Sequence, residues 1–104
     1  MNTEEYIGIP YKKGGRNPQE GFDCWGLVAY IYEKELNIKF KQQYNIVSGE
    51  TLKITKAFKT AIDSNTWMKI AIPEQFCGVA LSENKKIHHV GIWVENGCLH
   101  AIKG

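Results

Sequence analysis

A chain of 104 residues, 43% hydrophobic and 23% charged, has material for one cored domain spanning 1–104, and it is too apolar to be a disordered tail. The net charge of +2 at pH 7 excludes a nucleic-acid footprint, since Lys12, Lys13 and Arg16 cluster while the other lysines are scattered. No apolar run approaches membrane-spanning length, and Met1 to Tyr6 lack the basic and apolar regions of a secretory signal, so the chain as given is expected to be cytoplasmic as synthesised.

In chain order, Thr3 to Ile9 predict a short helix or turn, with Thr3 and Glu4 as capping groups and Pro10 as its stop. Gly14, Gly15, Asn17, Pro18 and Gly21 then punctuate a loop. Leu27, Val28, Ile31 and Leu36 recur at helical spacing and predict a helix from Cys24 to Leu36. Gly26 near its start costs helix stability, which points to a close backbone approach there. After an irregular stretch, Ile54, Ala57, Phe58, Ala61 and Ile62 mark a second amphipathic helix, closed by Asp63, Ser64 and Asn65. Trp67 to Ile72 alternate up to Pro73, as a short strand or an extended arm. The last third predicts strands at Gly78 to Ser82, Ile87 to Glu95 and Cys98 to Ile102, the last two joined by an Asn96-Gly97 turn. Helices followed by an antiparallel meander make an α+β fold.

Cys24 falls in the first turn of the predicted helix. Unpaired N–H groups and the positive end of the helix dipole favour thiolate over thiol there, and the thiolate is the form that attacks carbonyls. The plain alternative is a small buried apolar side chain. Three cysteines, Cys24, Cys77 and Cys98, without C-x-x-C spacing indicate neither a disulfide framework nor a zinc knuckle. Cys24, His89 and His100 could be drawn as metal ligands, but they lack the close pairs of a structural zinc site, so no metal or cofactor is expected. His89, with a neutral imidazole near physiological pH, is a candidate base, and a structural histidine is the competing reading. Asp23, just before the helix, suits an N-cap.

Gly8-Ile9-Pro10-Tyr11, Gly14-Gly15-Arg16, Phe22-Asp23-Cys24-Trp25-Gly26-Leu27-Val28, His89-Val90-Gly91-Ile92-Trp93-Val94 and Leu99-His100-Ala101 together resemble the NlpC/P60 family of cysteine peptidases, in the family's order and over nearly the whole chain. Trp25, where most members carry serine, is similar to the branch found in phage and prophage tail proteins. The resemblance implies a papain-like fold and hydrolysis of amide bonds in bacterial peptidoglycan stem peptides through an acyl-enzyme on Cys24. It further implies His89 as base, His100 as the group orienting it, Tyr11 beside the oxyanion, Asp23 receiving a substrate amine and Trp25 lining the pocket. Packing alone is the alternative for Tyr11. Two other functions remain open: an inactive structural or binding module of a phage tail, and an amidase or acyltransferase using the same Cys–His pair.

A strict Asn96-Gly97 turn pairs Trp93 with His100. His89 then lies four residues from the partner of His100, about 13 Å at ~3.3 Å per residue and too far for a hydrogen bond, so a shifted register is required. The chain stops four residues after His100, earlier than the family pattern, which reads as a C-terminal truncation. Leu99 to Ile102 would then be an uncovered edge, and self-association or pairing with a tail protein is expected there.

Overall fold

The computed structural model describes residues 2–40, 53, 55–57, 59–60, 67–68, 70–83 and 86–101. A 3-10 turn at Thr3–Glu5 opens the chain, and its cap is Asn2, whose side-chain oxygen accepts from the Glu4 N–H at 3.1 Å. Neither expected capping group takes that role: Glu4 supplies the capped N–H, and the Thr3 hydroxyl donates to Glu95 at 3.0 Å. Tyr6 is buried behind this turn and donates to Glu35 at 3.1 Å, which together with burial pushes its phenol up to about 12. The clasp ties the N-terminus to the far end of the main helix.

The expected loop contains a small hairpin, β1 (Arg16–Asn17) and β2 (Gly21–Phe22), pairing Arg16 with Phe22 and Asn17 with Gly21. Asn17 closes its turn by accepting from the Glu20 N–H at 2.9 Å. Strands of two residues carry no period-2 signal, which is why turn residues alone are legible here. Helix α1 (Cys24–Leu36) follows with the predicted bounds. It buries Cys24, Trp25, Leu27, Val28, Ile31 and Tyr32, and it ends where Asn37 adopts φ 55° and returns its N–H to the Glu33 carbonyl at 3.1 Å. Residues 53, 55–57 and 59–60 have helical backbone, with Ala57 packed on the core. The rest of the predicted apolar face, Ile54, Phe58, Ala61 and Ile62, lies outside the described residues.

Strands β3 (Gly78–Glu83), β4 (Lys86–Val94) and β5 (Gly97–Leu99) form an antiparallel sheet in the order β3-β4-β5. Val90, Ile92 and Val94 alternate into the core shared with α1. A bulge in β4 interrupts the β3–β4 ladder: Leu81 pairs with His89 but Ser82 with Ile87, so His88 is the additional residue. Among the described residues this is a small α+β fold with antiparallel sheets, and no helix is long and apolar enough to cross a membrane.

Two strand expectations fail. Trp67 to Ile72 form no strand among their described residues: the backbone bends at 67 and again at 71–72, and Met68 and Ile72 are exposed. The alternation reflects one anchoring ring and not a ladder, because Trp67 stacks on Phe40 at 5.5 Å and meets Tyr32 and Trp25 edge-on. The C-terminal strand is also shorter than expected, ending at Leu99, while 102–104 lie outside the described residues.

Trp25 is 5% exposed and joins Phe40, Trp67 and Tyr32 in this aromatic cluster. Truncating such a ring removes both transfer energy and packing. Trp25→Ala should therefore cost about 3–5 kcal/mol in urea unfolding. A loss below about 1 kcal/mol would mean that the cluster does not hold the segments on either side of it.

Candidate active site

The site is built on the start of α1. Asp23 is its N-cap, extended at φ −83° and ψ 179°, and Oδ1 accepts from the Gly26 N–H at 2.6 Å. The same oxygen accepts from Arg16 Nη1 at 2.6 Å, and Nη1 also donates to the Gly15 carbonyl at 2.8 Å. Oδ2 is buried without a hydrogen-bond partner among the described residues. Neither the basic cluster nor the Gly14-Gly15-Arg16 segment of the family pattern assigns Arg16 this role. The Gly-Gly-Arg segment is its one signal, and no local spacing announces a partner seven residues away across a hairpin.

Cys24 is the first helical residue and is fully buried. Its neighbourhood is fixed by backbone contacts. A Cβ added at Gly26 would lie 2.1 Å from the Gly15 carbonyl oxygen, the close approach that a glycine in the first turn implies. Tyr11 forms a parallel bridge with Phe22, flanked by Phe22 N–H to Pro10 O at 3.1 Å and Lys12 N–H to Phe22 O at 3.0 Å. Tyr11 is thus laid beside the residues leading into the helix. Trp25, expected at the substrate pocket, sits in the aromatic cluster described above.

Helix α1 packs against β4, the strand that carries His89. His89 is 4% exposed, and its Nε2 lies 3.0 Å from Nδ1 of His100, with the two rings near perpendicular. The turn register explains why this pair exists. Val94 pairs with Gly97 and Trp93 with Cys98, so the two turn residues are Glu95 and Asn96, not Asn96 and Gly97. Both have left-handed φ, 49° and 62°, as a type I′ turn requires. Moving the turn by one residue moves every pairing by two. His100 falls beside Gly91 rather than Trp93, two residues from His89 on the same face. A Cβ at Gly91 would meet the His100 Cβ at 3.1 Å and the Cys98 Sγ at 2.7 Å, so glycine keeps this crossing open.

The other thiols have different settings. Cys77 and Cys98 are half-buried, and burial pushes the Cys98 thiol up, with Cys77 nearby adding to the effect. No group of three or more potential metal ligands occurs among the described residues.

A helix that opens on a cysteine, packed on an antiparallel strand whose His89 meets His100 from beyond the neighbouring strand, defines a class of small α+β domain. The profile of the NlpC/P60 family matches residues 8–103, and the chain belongs to that family. It is 39% identical over 93 residues to the bifunctional muramidase/DL-endopeptidase CwlT of Bacillus subtilis (strain 168), covering 89% of this chain and 25% of that protein. It is also 39% identical to the gamma-DL-glutamyl hydrolase of the same organism, over 60% of this chain and 18% of the relative. The probable endopeptidase YafL of Escherichia coli (strain K12) is 48% identical over 42 residues, 40% of this chain and 17% of its own length. The chain therefore spans a quarter or less of the length of these curated relatives. No solved structure matches it.

Proposed function

We propose that this chain is a cysteine peptidase of papain-like architecture that hydrolyses amide bonds in peptidoglycan stem peptides. The observation that carries the reading is the 3.0 Å pairing of His100 with His89, which lies on the strand packed against the helix that begins with Cys24. Membership of a family whose relatives include named endopeptidases supports the substrate class. In this mechanism the Cys24 thiolate adds to the amide carbonyl and the helix-start N–H groups face the developing oxyanion, with the Tyr11 hydroxyl assisting. His89 protonates the leaving amine, giving a thioester, and then takes a proton from the water that hydrolyses it. His100 engages Nε2 of His89 and so assigns Nδ1 to the thiol. Asp23 Oδ2, buried and without a partner among the described residues, is the atom we assign to a substrate amine. No metal or cofactor enters these steps. The tail of a phage or prophage is the setting we favour, with Trp25 in place of serine as the supporting feature. Pairing of the β5 edge with a tail protein or a second copy belongs to the same proposal.

Full burial of Cys24 favours a second reading, an inactive tail or wall-binding module that keeps the motif. Incubating the protein with muropeptides separates the two. Cleaved stems detected by mass spectrometry, absent with Cys24→Ala, establish the peptidase, and the fragment masses name the bond. Binding of muropeptides without cleavage, equal in both proteins, establishes the module.

His100→Ala should lower kcat about tenfold to a hundredfold while leaving KM near the parent value, because an orienting group acts only through the base. His100→Gln should recover part of the loss, since it can still bond Nε2. An unchanged kcat in His100→Ala would remove His100 from the mechanism.

A further inference from the structure

Asp23 puts a carboxylate on the residue before Cys24, and that carboxylate is fully buried. A buried negative charge beside a thiol opposes its ionisation, which is the opposite of what a nucleophile needs. Resting on the peptidase reading above, we propose that Arg16 is a charge-compensating positioning residue for Cys24: its guanidinium, bonded to both Asp23 Oδ1 and the Gly15 carbonyl, cancels the Asp23 charge so that the helix start and His89 govern the thiol.

The geometry restricts the role to Arg16. One nitrogen, Nη1, holds the carboxylate at 2.6 Å and the Gly15 carbonyl at 2.8 Å, so the charge is fixed in place by the loop that presses on Gly26. The side chain is 26% exposed, against 0% for the Asp23 side chain, and it borders a cavity of about 340 Å³ shared with Glu33 and Lys39. Water therefore reaches the cation but not the anion, and the desolvated partner is on the residue that directly precedes the nucleophile. Among the described residues, the charged and titratable groups at the helix start and on the segments beside it are Asp23 on the helix cap, Arg16 on β1, Tyr11 on the segment bridged to Phe22, with Lys12, turned to Glu20 and half-exposed, and exposed Lys13 following it, and His89 on β4 with His100 against it. Among these, Arg16 is the fixed cation bonded to the buried carboxylate; the histidines carry charge only when protonated.

The test is a pH titration of the Cys24 thiolate by its ultraviolet absorbance, taken as the difference from Cys24→Ala, so that no reagent needs access to the buried sulfur. At an effective dielectric of ~20, an uncompensated unit charge ~7 Å away moves a neighbouring midpoint by about one to two pH units. Arg16→Gln should raise the midpoint by that amount, Asp23→Asn should lower it, and the double variant should return close to the parent. Arg16→Lys, which keeps the charge, should stay within about half a unit. A side chain that merely shapes the loop would shift both single variants in one direction and leave the double no better. That pattern, or an unmoved Arg16→Gln midpoint, overturns the proposal. If Arg16→Gln does not fold, a lowered midpoint in Asp23→Asn and its restoration in the double variant support the proposal; an unmoved or raised midpoint in Asp23→Asn overturns it. His89→Ala in the same titration separates this proposal from the Cys–His reading: a Cys24 midpoint unaffected by His89→Ala defeats the pair while the Arg16 series is judged independently.

Discussion

Replacing His89 by alanine should reduce kcat for muropeptide hydrolysis by about 10²- to 10⁴-fold, the range that a positioned general acid–base supplies, and Cys24→Ala should leave only background. The loss in His89→Ala has two sources. Removing the imidazole removes the proton donor for the leaving amine, and it removes the cation that stabilises the thiolate. The acidic limb of the pH–rate profile should then move upward, toward the ~8.5 of an unassisted cysteine. Thiol reactivity checks the second source on its own. At about pH 6, a limiting dose of iodoacetamide should label Cys24 ahead of Cys77 and Cys98 in the folded protein, although Cys24 is the most buried of the three. Ranking by exposure predicts the reverse order, and the raised Cys98 thiol is further disfavoured. Substrate must reach the same sulfur, so access for the reagent and for the peptide stand or fall together. Labelling of Cys77 or Cys98 first, or an unchanged rate in His89→Ala, would defeat the Cys–His pair and leave the binding module as the better account.

Gly26→Ala should destabilise the protein by about 1–3 kcal/mol or more and sharply reduce hydrolysis. The sign is the informative part. In an exposed helix the same substitution gains about 1 kcal/mol, because alanine loses less backbone entropy than glycine. Here the added Cβ would fall 2.1 Å from the Gly15 carbonyl oxygen and 3.0 Å from both Arg16 Nη1 and Asp23 Oδ1. Backbone cannot give way as a flexible side chain can, so the Gly14 to Arg16 loop must lift from the helix and the Asp23 cap must loosen. Urea unfolding combined with muropeptide turnover reads both effects. A stabilised, fully active Gly26→Ala would show that the loop does not press on the helix start.

Features that depend on near neighbours along the chain are legible in the sequence alone. The course of α1 follows from the spacing of Leu27, Val28 and Ile31, since a helix repeats within four residues, although Leu36, expected on the same face, is exposed at its end. Gly26 announces a close approach because only packing explains a poor helix former in the first turn. The order of the Gly-Phe-Asp-Cys and His-Val-Gly segments carries the family, and the meander is marked by its apolar runs and turn residues. What tertiary structure decides lies across longer separations. The hairpin register turns on whether Glu95 or Gly97 joins Asn96 in the left-handed pair, a choice the Asn-Gly signal answers wrongly because strand packing outweighs local preference. That single step brings His100 within 3.0 Å of His89 where local rules place it out of reach. The ion pair of Arg16 with Asp23, the bulge that leaves residue 88 out of the ladder and the ring contacts that turn Trp67 to Ile72 away from a strand have the same origin. Each is set by which distant backbone lies alongside, and periodicity along one segment contains no record of its partner.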